Sequence, residues 1–217
     1  MYSKIQYISQ GLTTTEQFNN IHQALDAGCS WIQLRFKNAE KGELTLLAER
    51  IKPLCKSYAA TFILNDHVEL AKQLDADGVH LGLQDTDIAT AKELLGEEKI
   101  IGGTANTFND VMQRIDEKCT YIGLGPFRFT KTKEKLSPVL GFSGYQQILN
   151  ELRKKEIEIP VYAIGGIQTD DVPDLIASGI YGIAISSLVT QHPDKKKLIK
   201  HLKSALYAPI EYSRQKI

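Results

Sequence analysis

An excess of charge of either sign is the first thing missing, since Lys+Arg number 26 against Asp+Glu 26. A chain with no net charge gains no bulk electrostatic support for nucleic-acid or membrane-surface binding, so any basic patch must be local. Cysteine is scarce: Cys29, Cys55 and Cys119 are odd in number and unpatterned, with no CxxC pair and no Cys/His ligand cluster. That usage fits reduced thiols and a cytoplasmic location rather than a disulfide framework. No apolar run approaches the roughly 18 residues of a membrane span, and the start MYSKIQYISQG lacks a signal peptide's apolar stretch. The histidines at 22, 67, 80, 192 and 201 form no sensible Ser/His/Asp or Cys/His constellation, which argues against covalent hydrolase chemistry. No linker or low-complexity segment divides the 217 residues, 42% hydrophobic and 24% charged, so one domain over 1–217 is expected.

What is there is a regular alternation of short apolar runs with amphipathic helices. Strands are predicted at 5–8, 31–35, 61–64, 78–81, 99–102, 121–124, 160–164 and 181–185. Helical spacing follows each, as in Phe18, Ile21 and Leu25, or Phe108, Val111, Met112 and Ile115. Thr13 to Gln17 carries a capping-box pattern, Thr86-Asp87 can cap the fourth helix, and Pro53 suggests a kink or restart in the second. Eight strand-helix units in this length is the arithmetic of an α/β fold of the (β/α)8 TIM-barrel type, with a doubly wound open sheet as runner-up. Residues 207–217 show no period and read as a tail on the barrel's outside.

In a barrel, function belongs at the strands' carboxyl ends. The third strand breaks at Asn65-Asp66 and the fourth runs out to Asp85, so two carboxylates reach one rim. Facing acids repel unless one is protonated or a divalent cation lies between them, and Mg2+ is commonly held by one or two carboxylates plus phosphates. The bland alternative makes Asp66 a helix cap and Asp85 a turn residue. After strand two, alternation puts Gln33, Arg35 and Lys37 on one side, a fork and a point charge suited to an anion. The longest loop follows strand six and sets hydroxyls at Thr130 and Thr132 beside Lys133, a set suited to closing over phosphate oxygens. Gly165-Gly166 after strand seven, with Ile185-Ser186-Ser187 ending strand eight, make up the usual phosphate site of such barrels. His80 reads as a barrel-lining imidazole bonded to a neighbour.

The residues that carry a resemblance are QLRFK at 33–37, ND at 65–66, ADGVHLGLQD at 76–85, GGTANT at 102–107, GLGPFRFTKTK at 123–133, AIGGI at 163–167 and Ile185-Ser186. In this order, over nearly the whole chain, they resemble the thiamine phosphate synthase family. The resemblance implies condensation of 4-amino-2-methyl-5-(hydroxymethyl)pyrimidine diphosphate with a thiazole phosphate, carboxylated or plain, releasing pyrophosphate. It implies that Gln33, Arg35, Lys37, Asn65 and Lys133 hold the pyrimidine diphosphate, that Asp66 and Asp85 carry Mg2+, and that Thr104 lies beside the pyrimidine. Thr130, Thr132, Gly165, Gly166, Ile185 and Ser186 would hold the thiazole phosphate, with Arg35, Lys37 and Lys133 as the catalytic cations. Its small-molecule substrates imply neither nucleic acid nor membrane as partner, while a homo-oligomer stays open.

Departures from the family pattern are Leu83-Gln84, Asn106 and Arg128-Phe129, in place of Gln-acid, His and Tyr-Pro. Two rivals frame the test. A thiazole tautomerase on the same barrel would lack the diphosphate and metal apparatus, and a non-catalytic phosphate sensor would have no use for the acid pair.

Overall fold

A computed structural model of the chain describes residues 2–37, 39–129 and 138–208. Strands β1 (Ile5–Ile8), β2 (Trp31–Leu34), β3 (Thr61–Asn65), β4 (Gly78–Leu81), β5 (Ile100–Ala105), β6 (Tyr121–Leu124), β7 (Val161–Ile164) and β8 (Gly182–Ile185) pair in sequence order, all parallel. β8 returns to β1, with Ile5 opposite Ile183, and closes the barrel. An open doubly wound sheet is thereby excluded. Helices α1 (Thr14–Asp26), α2 (Lys41–Ser57), α3 (Val68–Gln73), α4 (Ile88–Leu95), α5 (Phe108–Asp116), α6 (Gly141–Lys154), α7 (Val172–Ser178), α8 (Ser187–Thr190) and α9 (Lys195–Leu206) complete the order.

Strand alternation divides the core in two. Outward residues such as Ile32, Leu34, Leu64, Val79 and Ile101 meet the apolar faces of the helices. Inward residues Ile8, Trp31, Ile63, Tyr121, Tyr162 and Ala184 fill the barrel's interior. Trp31 packs edge-on to Tyr121 at 5.0 Å and Tyr162 at 5.3 Å, making an aromatic floor. Polar residues at inward positions nearer the carboxyl ends leave the upper barrel to chemistry.

Helix ends follow their caps. Thr13 accepts from Glu16 N at α1, Asp87 from Thr90 N at α4, and Thr107 and Asp110 form a reciprocal capping box at α5. Three expectations need correction. α2 runs unbroken through Pro53, so the helix does not restart there; both Pro53 and Glu49, whose carbonyl loses its helical partner, are exposed. β5 continues to Ala105 instead of stopping at Gly102, because the Tyr121 ring fills the space beside Gly102, and Arg114 and Cys119 the space beside Gly103. The short α8 after Ser186 was not anticipated, its four residues being too few to show a period. Thr130, Thr132 and Lys133 lie outside the described residues, as does the tail beyond Ala208.

Candidate active site

The carboxyl rim is assembled from backbone outward. Ser9 Oγ accepts Arg35 N at 2.8 Å and Gln17 Nε2 donates to Arg35 O at 3.2 Å, so β1 and α1 fix the chain just past β2. From there the half-buried Arg35 side chain lies within the field of Asp66. Burial lowers its pKa from the ordinary guanidinium value, and Asp66 works the other way. Two residues on, Lys37 Nζ stands 3.8 Å from Asp66 Oδ2.

Asp66 itself has φ +65, the left-handed region that aspartate tolerates better than most residues. Its N–H donates to His80 O at 3.0 Å, extending the β3–β4 pairing past β3's end. His67 takes the N-cap position of α3 without a side-chain cap bond, so Asp66 is not the cap. Asp85 Oδ2 accepts Gly82 N at 2.6 Å, curling the loop after β4 back toward the rim. A Cβ on Gly82 would lie 2.6 Å from that oxygen, so a side chain there would push the Asp85 carboxylate out of this position.

The two carboxyl groups meet. Burial first, then a hydrogen bond with Asp85 and that residue's charge, push Asp66 up to about 7, against the opposing pull of Lys37 and Arg35. Such a contact holds either a shared proton or a cation. No third His, Cys, Asp or Glu joins the pair among the described residues. A cation here would draw its other ligands from water and substrate oxygen, as Mg2+ does, so the donor set fits that ion.

Beside the acids, Gln33 Nε2 donates to Asn65 Oδ1 at 2.8 Å. Gln33 Oε1 is buried with no hydrogen-bond partner among the described residues, an acceptor that a bound ligand can satisfy. Thr104 Oγ1 lies 3.0 Å from His80 Nε2, His80 Nδ1 lies 2.9 Å from Tyr121 Oη, and Gln6 Nε2 donates to the same phenol at 2.9 Å. Two glycines make room for these rings: a Cβ on Gly102 would fall 2.2 Å from Tyr121, and one on Gly123 would fall 2.9 Å from His80 Cε1. Behind the rim, buried Arg114 donates to Thr104 O at 3.1 Å and Gly82 O at 3.0 Å, tying the ends of β4 and β5 together.

Across the mouth, Gly165 and Gly166 turn with φ +91 and +71, backbone that favours glycine. Phe127 N donates to Ile164 O and Arg128 N to Gly165 O, both at 2.9 Å, so the loop after β6 continues the sheet alongside them. Arg128 Nη1 also donates to Gly166 O at 3.1 Å, while Nη2 reaches Asp171 Oδ1 at 2.6 Å and the guanidinium lies 4.8 Å from the Phe127 ring centroid. Ile185 is buried at the end of β8, and Ser186 precedes α8 with its hydroxyl 3.4 Å from Gln10 Oε1.

Asp66, Asp85, Arg35 and Lys37 are thus brought into one cluster, with Gln33 bonded to Asn65 and Thr104 on His80, while Gly165, Gly166, Ile185 and Ser186 stand at the ends of β7 and β8. Sequence reasoning missed Arg114, the Arg128–Asp171 tie, and the Gln6–Tyr121–His80–Thr104 series. A signal for the last existed. Gly102 and Gly123 fall on inward positions beside Tyr121 and His80, gaps that something larger must fill.

An eight-stranded parallel barrel with paired carboxylates and cations at its carboxyl rim is an enzyme of the (β/α)8 class. A family model for thiamine monophosphate synthase matches residues 7–189, and the chain belongs to that family. It is 58% identical to the thiamine-phosphate synthase of Flavobacterium johnsoniae over 97% of this chain and 99% of that relative. The thiamine-phosphate synthase of Bacteroides thetaiotaomicron is 49% identical over 88% of this chain and 91% of its own length. Among solved structures, thiamine phosphate pyrophosphorylase from Pyrococcus furiosus superposes with a TM-score of 0.80 at 29% identity, covering 94% of this chain and 95% of that one. A 3-hexulose-6-phosphate synthase, with a TM-score of 0.71 at 14% identity, shares the fold alone.

Proposed function

We propose that this chain joins 4-amino-2-methyl-5-(hydroxymethyl)pyrimidine diphosphate to a thiazole phosphate, giving thiamine phosphate and pyrophosphate. The carrying observation is the contact between Asp66 and Asp85 with Lys37 at 3.8 Å and Arg35 alongside. Mg2+ held by Asp66 and Asp85 would supply charge neutralisation to the departing diphosphate. Arg35, Lys37 and Lys133 add fixed positive charge on the same leaving group, and Gln33 and Asn65 hold the pyrimidine diphosphate in place. Thr104 lies beside the ring, and Thr130, Thr132, Gly165, Gly166, Ile185 and Ser186 receive the thiazole phosphate.

The reaction is dissociative. The methylene C–O bond breaks with its electron pair going to diphosphate, the electron-rich aminopyrimidine spreads the positive charge, and the thiazole nitrogen's lone pair forms the new C–N bond. No proton leaves the nucleophile, so no general base is required, in keeping with a sequence that offers no Ser/His/Asp or Cys/His constellation. Buried free thiols at Cys29, Cys55 and Cys119 agree with the reducing, cytoplasmic setting of such a pathway.

Incubating the protein with both substrates and Mg2+ and measuring pyrophosphate tests the reading. Release that requires both substrates and is stopped by EDTA is expected. Isomerisation of a thiazole carboxylate phosphate without pyrophosphate would assign the tautomerase reaction instead, and binding without turnover a sensor. Asp85→Ala should lower turnover by at least a hundredfold, while isothermal titration still shows the thiazole phosphate bound.

A further inference from the structure

Gln6, Tyr121, His80 and Thr104 come from β1, β6, β4 and β5, yet their polar atoms form one line inside the barrel at successive separations of 2.9, 2.9 and 3.0 Å. The line has a direction. An amide nitrogen only donates, so Gln6 Nε2 occupies an acceptor site on the Tyr121 oxygen. That phenol is fully buried, and burial holds its pKa far above the ordinary tyrosine value, so it keeps its proton. The remaining partner for that proton is His80 Nδ1, which must therefore accept. An imidazole that accepts on Nδ1 carries its hydrogen on Nε2, and this hydrogen is directed at Thr104 Oγ1. Thr104 is half-buried near the carboxyl end of β5, and its hydroxyl has no second partner among the described residues. Its own proton is left for whatever enters the mouth.

We propose that Gln6, Tyr121 and His80 are positioning residues forming a one-way hydrogen-bond wire, which occupies one lone pair of Thr104 and leaves its hydroxyl proton for the substrate. The ligand atom that takes this proton is an acceptor. A ring nitrogen of an aminopyrimidine qualifies, and its exocyclic amino group, which only donates, does not. The wire thus selects the edge of the ring that faces β5. This deepens the reading under Proposed function and rests on it for the ligand's identity, while the wire's direction rests on the protein alone.

Nitrogen NMR of the full chain labelled at histidine tests the direction, with His80 assigned by comparison with His80→Asn. A pyridine-type Nδ1 and a protonated Nε2 are expected in the ligand-free protein. A protonated Nδ1 would mean a reversed wire and overturns the proposal whatever the substrates are. The recognition step is tested with Thr104→Val, which keeps the shape and removes the proton. Its KM for the pyrimidine diphosphate should rise roughly three- to tenfold, the worth of one neutral hydrogen bond, with the KM for thiazole phosphate unchanged. Thr104→Ser should recover most of that loss. A deaza analogue with C–H in place of the ring nitrogen should bind the wild type and Thr104→Val equally. An equal loss for substrate and analogue, or none for either, overturns the donor role. A wild type that releases no pyrophosphate would count against the Proposed function, and the tautomer result would still decide the wire.

Discussion

Small residues inside the barrel set what large ones can do. An alanine methyl at Gly102 would need the space of the Tyr121 ring, which has buried neighbours on every side. Gly102→Ala should therefore cost about 1–3 kcal/mol in urea unfolding, the usual cost of overpacking. Gly42 on α2 has open space where a Cβ would go, and Gly42→Ala should stabilise by about 0.5–1 kcal/mol. Asp66 gives a second prediction at this scale. Its folded pKa of about 7 lies above its ordinary 3.8, so folding favours the protonated form. The stability it contributes is fully present below about pH 4 and is lost as pH rises through about 7. In EDTA, Tm should fall across that window, and Asp66→Asn should flatten the fall. Added Mg2+ should raise Tm more at pH 8 than at pH 6, because the cation takes the proton's place. The acids and the QLRFK cations were legible because each sits at a strand end, where residue type and alternation suffice. Their contact was not, since it depends on Gly82 curling Asp85 back and on the left-handed turn at Asp66.

Between elements, the ties are made by arginines that the sequence leaves looking like surface charge. Arg128 stands between two phenylalanines ahead of a lysine-rich run, and nothing local says that it spans to Asp171, 43 residues away. Burial of Asp171 opposes ionisation, but Arg128 and the Gln168 N–H outweigh it and hold the pKa below the usual carboxylate value. With 43% of the Arg128 side chain in solvent, the pair's own coupling should be about 1 kcal/mol or less in a double-mutant cycle. Arg128 also holds the Gly166 carbonyl, so its loss frees the turn that follows β7. Arg128→Ala should raise the KM for thiazole phosphate while that for pyrimidine diphosphate stays put, and Arg128→Lys should not restore it, because an ammonium lacks the two-pronged fork. Element types were readable throughout from period and caps. Boundaries slipped where a tertiary partner overrides a local signal, as at Gly103 and Thr104 within β5, or where an element is a single turn, as at α8.

At the scale of the whole molecule, eight regular repeats made the barrel legible, since a doubly wound open sheet rarely needs eight regular strand-helix units. Closure is not a local property. It rests on β1 lying between β2 and β8, a pairing of residues some 180 positions apart that no window of sequence contains. The closed floor has an optical consequence. Trp31 is the chain's single tryptophan, 1% exposed and ringed by Tyr2, Tyr121 and Tyr162, and four residues, or about 13 Å of strand, short of Arg35. Its emission should therefore stay blue and unmoved when phosphates or Mg2+ reach the rim. It should shift red in a single step as the barrel opens, giving a native fluorophore that reports global unfolding and is silent to ligand.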